Sequence, residues 1–240
     1  MIHQVSFAAS TDEARPVLMG VLMNVEKDMV TMAAADGFRL SVRKAQLSQS
    51  VSQPINVIIP ARALNELARV AADGEEPIYM VVPKNRGQVL FRVKDVEVVS
   101  QLIEGTFPDY HQIIPRNYKS RTLVSTASLL KACKQAEIFA REGSNVARFD
   151  IKQANGEMQP SEVEISAVSE ETGKNETIVE ATVDGGSVLI AFNVKFLREA
   201  LEVIKTPNVA LETSAANAPG VVKPVGDDNF LHVIMPMHLG

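Results

Sequence analysis

The 240-residue chain is 46% hydrophobic and 22% charged, with a formal net charge of −5, the balance of a folded globular protein rather than a disordered one. No apolar run approaches the roughly 18 residues a membrane helix needs, and the start, MIHQVSFAAS, lacks the basic and long apolar regions of a signal peptide. Acidic and basic residues balance at 13 each over 1–120, and acid prevails by 16 to 11 over 121–240; this excludes a strongly basic nucleic-acid binder of the usual kind but leaves room for local basic faces. The single cysteine, Cys133, cannot form an internal disulfide. That fits a reducing compartment, and a cytoplasmic location is expected.

In chain order, HQVSFAAS (3–10) reads as the tail of a helix whose beginning is missing. Four strands follow in VLMGVLMNV (17–25), DMVTMAAA (28–35), FRLSVRKAQL (38–47) and INVIIP (55–60), where β-branched residues alternate between turn signals. IPARALNELARVAAD (59–73) places Leu64, Leu67 and Val70 on one helical face. Strands recur at PIYMVV (77–82), QVLFRV (88–93) and VEVVSQLI (96–103), and IIPRNYKSRTL (113–123) reads as a Pro- and charge-rich connector. TASLLKACKQAEIFAREG (126–143) is a second helix with Leu129, Leu130, Cys133, Ala136 and Phe139 on one side and Gly143 as its stop. Beyond it come the strands VARFDIKQ, SEVEISAVS, ETIVEATVD and SVLIAFNV. A helix over 193–208, ended by Pro207, and the strands NVALETSA and NFLHVIM complete the pattern. The chain closes on FLHVIMPMHLG (230–240), an apolar strand broken by Pro236 between Met235 and Met237. Flexible methionines suit awkward core gaps and adaptable binding grooves alike.

The two halves echo each other. Overlaying IIPARALNELARV (58–70) on AFNVKFLREALEV (191–203) matches Leu64 with Leu197, Glu66 with Glu199 and Val70 with Val203, and each segment lies between strands. Two copies indicate a duplicated domain rather than a solenoid. The expectation is an α+β protein of two tandem domains, 1–118 and 121–240, each with antiparallel sheets packed on helices.

Catalytic chemistry has no visible carrier. The sequence holds no phosphate loop, no GxGxxG after a strand and no GxSxG. His3, His111, His232 and His238 lack metal-ligand spacing, though His232 and His238 flank a proline and a shared face is conceivable. Asp227 and Asp228, in GDDN, mark a hairpin turn. Cys133, among apolar neighbours at helical spacing, reads as a buried structural thiol. No catalytic residue, cofactor or metal is expected, and the protein is read as a non-enzyme.

Three segments carry a specific resemblance. AADGFRLSVRK (34–44) resembles the A-T-D-G-H-R-L-A-V signature of the bacterial DNA polymerase III beta subunit, the sliding clamp. LIEGTFPDYHQIIP (102–115) resembles that family's L-I-E/D-G-x-F/Y-P-D/N-Y segment, and VIMPMHL (233–239) its V-V/I-M-P-M/V-R-L ending. IIPARALNEL and AFNVKFLREAL add weaker likeness. The match covers the family's second and third domains; its first domain, and the first strand of the second, are absent. The implied function is that of a processivity factor whose complete dimeric ring encircles duplex DNA without reading sequence. The implied protein partners are DNA polymerase, clamp loader and repair proteins, held through short linear peptides.

The resemblance implies a peptide-binding groove between the two domains. Its matching positions are Leu18, Gly37, Phe38, Arg39, Leu40, Pro108, Ile113, Asn193, Phe196, Val233, Ile234, Met235, Pro236 and Met237. Apolar walls with a few polar anchors suit capture of a Leu- or Phe-bearing peptide. Phe38 stands where the family usually has His, Gln112 where some members have Arg, His238 where the penultimate Arg is usual, and Ser144 where some carry an aromatic. These departures imply a shifted peptide preference or weaker binding.

For DNA, the resemblance implies helices that present positive side chains to phosphates; the candidates are Arg62, Arg69, Lys131, Lys134, Lys195, Arg198 and Lys205. They alternate with Glu66, Glu137, Glu199 and Glu202. Ile138 and Phe139 match apolar positions of the family's subunit contact, whose partner surface is the absent first domain, so a monomer or a non-native association is expected. Two other readings stand beside the clamp subunit: a clamp-derived binding protein without ring closure, and a β-rich two-domain hydrolase.

Overall fold

The computed structural model describes residues 1–71, 76–84, 86–154, 160–171 and 173–238. Residues 72 and 73, at the end of the first expected helix, and Leu239 of the closing motif lie outside the described residues. The chain divides into two compact units, Met1–Asp109 and Tyr110–Gly240. The division precedes the stretch 113–123 expected as a connector.

The first unit opens on α1 (Ile2–Val5), which runs into a 3-10 turn, Ser6–Ala8. A second 3-10 turn, Pro16–Met19, occupies what the sequence suggested as the start of a strand, because Pro16 at its head presets the φ of a helical turn. Four antiparallel strands follow: β1 (Gly20–Glu26), β2 (Met29–Ala35), β3 (Arg39–Gln46) and β4 (Ile55–Pro60), in the spatial order β4-β1-β2-β3. The helix α2 (Ala61–Val70) buries Leu64, Leu67 and Ala68 and leaves Arg62, Glu66 and Arg69 outside. A small sheet completes the unit in the order β5 (Tyr79–Val81), β6 (Gln88–Val93), β7 (Val96–Gln101). Val21, Val25, Met32, Ile59, Leu64, Leu67 and Phe91 meet in its core.

The second unit opens on a 3-10 turn, Tyr110–Gln112, and its first strand begins within the stretch expected as a connector. Residues Ser120–Ser125 form β8, with Ser120, Thr122 and Val124 buried in alternation. That alternation was present in SRTLVS but was masked by its polar residues. The helix α3 (Thr126–Ala140) is capped by the Ser125 side chain, which accepts from the Ser128 amide at 3.4 Å. A 3-10 turn, Arg141–Gly143, carries the helical stretch to Gly143, and the chain then turns away through left-handed Ser144 and Asn145 (φ 59 each), a conformation that Asn enters more readily than most non-glycine residues. Then come β9 (Val146–Lys152), β10 (Glu162–Ser169), β11 (Gly173–Gly185) and β12 (Val188–Asn193). The helix α4 (Val194–Glu202) ends well before Pro207, the Ile204 amide closing on the Leu201 carbonyl at 3.2 Å.

Last are β13 (Asn208–Thr213), β14 (Gly220–Pro224), β15 (Phe230–Ile234) and the two-residue β16 (Pro236–Met237). β14 was not anticipated, since Gly220 and Pro224 bound it and argue against a strand from sequence. Gly220 is there because a Cβ would lie 2.6 Å from the Phe192 ring. Asp227 and Asp228 sit in the β14–β15 turn as expected, the Asp227 carboxylate accepting from the Asn229 amide. Strand order is β16-β12-β9-β10-β11-β8-β13-β14-β15. Every strand pair described within the units is antiparallel. The α3 helix lies on β10 and β11 and beside α4, and Leu129, Cys133, Phe149, Ile165, Phe192 and Leu197 share the core.

Candidate functional site

In the first unit Gly37, Phe38, Arg39 and Leu40, four of the expected peptide-binding positions, lie at the head of β3. Asp36 organises this turn: one carboxylate oxygen accepts from the Phe38 and Arg39 amides at 2.9 and 3.0 Å, an Asx arrangement. Gly37 takes φ +95°, a conformation side chains resist, and its place in A-D-G-F follows from that. Phe38 is lifted to the tip of the turn, 57% exposed. Arg39 does not project outward. Its guanidinium is buried, donates to Asp36 at 2.9 Å and to the Phe7 carbonyl at 2.7 Å, and lies 5.3 Å from the Phe7 ring centroid. It therefore braces the turn against the first helical segment. Leu40 is also buried, while Leu18 is half-buried and Pro108 exposed.

In the second unit Asn193, Phe196, Pro236 and Met237 come together. β16 pairs with the end of β12, Pro236 opposite Phe192 and Met237 opposite Ala191. The next residue, Asn193, caps α4 by accepting from the Phe196 amide at 3.3 Å. Met235, Pro236, Met237, Asn193 and Phe196 are all half-buried, whereas Val233 and Ile234 are buried in β15 and Ile113 is exposed. The terminal methionines are thus neither frayed nor sealed, an accessible, adaptable apolar rim. Of the residues that depart from the family pattern, Gln112 and His238 are exposed.

The helical cations separate into two groups. Arg62, Lys131, Lys195 and Lys205 are exposed and, among the described residues, make no ion pair. The other three are engaged. Arg69 meets Glu66 at 2.9 Å, and Lys134 meets Glu202 at 3.0 Å. Arg198 lies largely covered, its guanidinium 2.5 Å from Glu137, 2.7 Å from Glu202 and 3.5 Å from Glu199. Glu137 is itself buried on α3, so this arginine ties α3 to α4. Helical spacing marked Arg198 as an outward charge, but the path of α3 was not readable from α4's sequence.

Ile138 is 59% exposed on α3, and Phe139 is half-buried against the core. Cys133 is fully buried, and desolvation, aided by the nearby Glu137 carboxylate, pushes its thiol well above the ordinary range. That is the opposite of an activated nucleophile. His232 is buried in β15 and His238 exposed, so they share no face for a metal. Among the described residues no group of three potential ligands gathers, and no helix is long and apolar enough to cross a membrane.

Comparison with known proteins gives a consistent result. Residues 1–109 match the family model described as DNA polymerase III beta subunit, central domain, and residues 111–238 that described as its C-terminal domain. The beta sliding clamp of Staphylococcus aureus is 39% identical over 238 residues, and that of Staphylococcus epidermidis 36%. The alignments cover 99% of this chain and 61% of either relative, so the chain spans about three-fifths of their length. Among solved structures, the DNA polymerase sliding clamp from Bacillus subtilis matches with a TM-score of 0.92 and 33% identity, over 100% of this chain and 61% of that one. A Pseudomonas aeruginosa clamp bound to griselimycin matches with a TM-score of 0.90 and 26% identity, over 100% of this chain and 62% of its own.

Proposed function

The chain belongs to the DNA polymerase III beta subunit family, and on that premise we propose that it acts as a sliding-clamp subunit, a processivity factor that performs no catalysis. In a closed ring it holds replication and repair proteins on duplex DNA in the cytoplasm. The observation that carries this reading is the succession of two matched clamp domains across residues 1–109 and 111–238.

Each proposed role falls to particular side chains. Phe38, Leu18 and Pro108 of the first unit bind short linear peptides from polymerase, clamp-loader and repair proteins, and so do Ile113, Asn193, Phe196 and the Met235–Met237 rim of the second. Arg39 and Leu40 act from beneath, holding the turn that presents Phe38, and Val233 and Ile234 anchor the strand that presents the rim. Arg62, Lys131, Lys195 and Lys205 meet DNA phosphates without reading bases, with Arg69 and Lys134 contributing as their carboxylate partners exchange. Ile138 supplies an exposed apolar contact for ring closure with a first-domain surface of another subunit, and Phe139 backs it.

Titration calorimetry with a synthetic peptide, polar at its start and ending in a hydrophobic pair, tests the peptide site. Binding is expected in the micromolar range, about 8 kcal/mol. Met235→Ala and Phe38→Ala each weaken it about tenfold, as truncations at the heart of such a site do. Lys174→Ala, on β11, leaves it unchanged. An unbound parent chain, or equal losses in all three variants, would remove the peptide-binding assignment.

A further inference from the structure

Sulfur chemistry in this chain falls to methionine rather than to thiol. The single cysteine, Cys133, is fully buried on α3, out of reach of solvent. The methionines span every degree of cover. Met23 and Met32 are buried in the first unit's core and Met80 packs against it, whereas Met29, beside the β1–β2 turn, is 39% exposed. Met235 and Met237 are half-buried on either side of Pro236, in the rim that carries Asn193 and Phe196. A small solute reaches them there, and so does a peptide side chain.

The rim is short of hydrogen-bond donors. Pro236 has no N–H, and the Asn193 side chain is engaged at both ends. Its oxygen accepts from the Phe196 amide at 3.3 Å, and its nitrogen donates to the Ser144 carbonyl at 3.5 Å. A thioether needs no partner in such a place, being apolar, flexible and polarisable. A sulfoxide does, because its oxygen loses water when an apolar side chain covers it. We propose, on the peptide-binding reading of this rim, that Met235 and Met237 are modification sites at which hydrogen peroxide switches peptide capture off. The sulfur lone pair attacks one peroxide oxygen and the O–O bond breaks. That oxygen stays on sulfur as a sulfoxide, and the other leaves as water with both protons. Sulfur loses two electrons and peroxide gains them. A methionine sulfoxide reductase reverses the step with two thiols, which leave as a disulfide while the oxygen departs as water. The fold beneath is undisturbed, since the buried Val233 and Ile234 hold β15 and β16 contributes two residues.

Titration calorimetry of the 240-residue chain with the synthetic peptide that ends in a hydrophobic pair, before and after brief exposure to hydrogen peroxide, tests this. Mass spectrometry of a digest should find one added oxygen on Met235, Met237 and the exposed Met29, with Met23 and Met32 unmodified. Affinity should fall about tenfold on oxidation, as it does when an apolar contact is lost at the heart of a site. The thermal unfolding midpoint should barely move, and reductase treatment should restore binding. Met29→Leu should leave the fall intact. The double variant Met235→Leu/Met237→Leu, whatever its own affinity, should bind equally before and after peroxide, because leucine has no sulfur to oxidise. An untreated parent that binds no peptide would remove the peptide-binding assignment, and the switch with it. A parent that binds, and binds as well once both sulfurs are oxidised, would overturn the switch alone. So would rim sulfurs that resist peroxide while Met29 oxidises. A loss that persists in the double leucine variant would also overturn it, by placing the sensitive sulfur elsewhere, as at the half-buried Met19.

Discussion

The short helix α2 in the first unit and its echo α4 in the second follow matching strands, yet they handle charge differently. On α2, Arg69 pairs with Glu66 where both are well exposed, a pairing of the kind worth about 0–1 kcal/mol. On α4, Arg198 is drawn beneath Glu137, Glu199 and Glu202 and shielded from water. Neighbouring α3 makes the difference, since it brings the buried Glu137 alongside α4. The same residue type in the same repeat is a surface charge in one unit and an interhelical tie in the other. A count of cations along a helix therefore overstates what remains available to an anionic partner.

The strongest challenge to this comparison concerns what the two helices share. Leu64 and Leu197 occupy matched positions and are both fully buried, so truncation to alanine should cost about 2–5 kcal/mol at either site. Denaturant unfolding of Leu64→Ala and Leu197→Ala measures this, and a loss below about 1 kcal/mol at one site would show that the repeat is not equivalent in packing. The charge difference predicts a smaller effect. Glu137→Gln should destabilise the second unit by about 2 kcal/mol, since a largely buried guanidinium loses its nearest carboxylate. Glu66→Gln should change stability by less than about 0.5 kcal/mol. Equal effects in thermal unfolding would erase the distinction. The smallest expected effect is on DNA. Lys131→Ala and Lys195→Ala should each reduce the slope of log affinity against log salt by about 1. Arg198→Ala should leave that slope unchanged and lower stability instead. A slope change for Arg198 equal to that for Lys131 would return the arginine to the phosphate-facing set.

Much of the fold was legible because hydrophobic period 2 and period 3.6 differ plainly in this chain. The strands around Val30, Val57 and Val89 and the helices around Leu64, Cys133 and Leu197 follow from alternation and helical spacing. The missed strands have a physical explanation. β8 buries Ser120 and Thr122, polar residues that a hydrophobicity pattern discounts, and β14 is bounded by a glycine and a proline. The end of α4 was also displaced, since it closes at Glu202 with the Ile204 amide on the Leu201 carbonyl, short of Pro207, a local backbone choice that residue type does not mark.

The candidate site divides along the same line. By itself, the sequence determined the duplicated α+β plan and the family motifs A-D-G-F-R-L and V-I-M-P-M. These are properties of residue order and local period. Only the tertiary structure decided that Arg39 is buried against Phe7 and Asp36 rather than offered to a partner. The same is true of Arg198's three carboxylates. Burial, ion pairing and strand edges depend on which distant segments are brought side by side, and Glu137, 61 residues before Arg198, carries no mark of that meeting in its own surroundings.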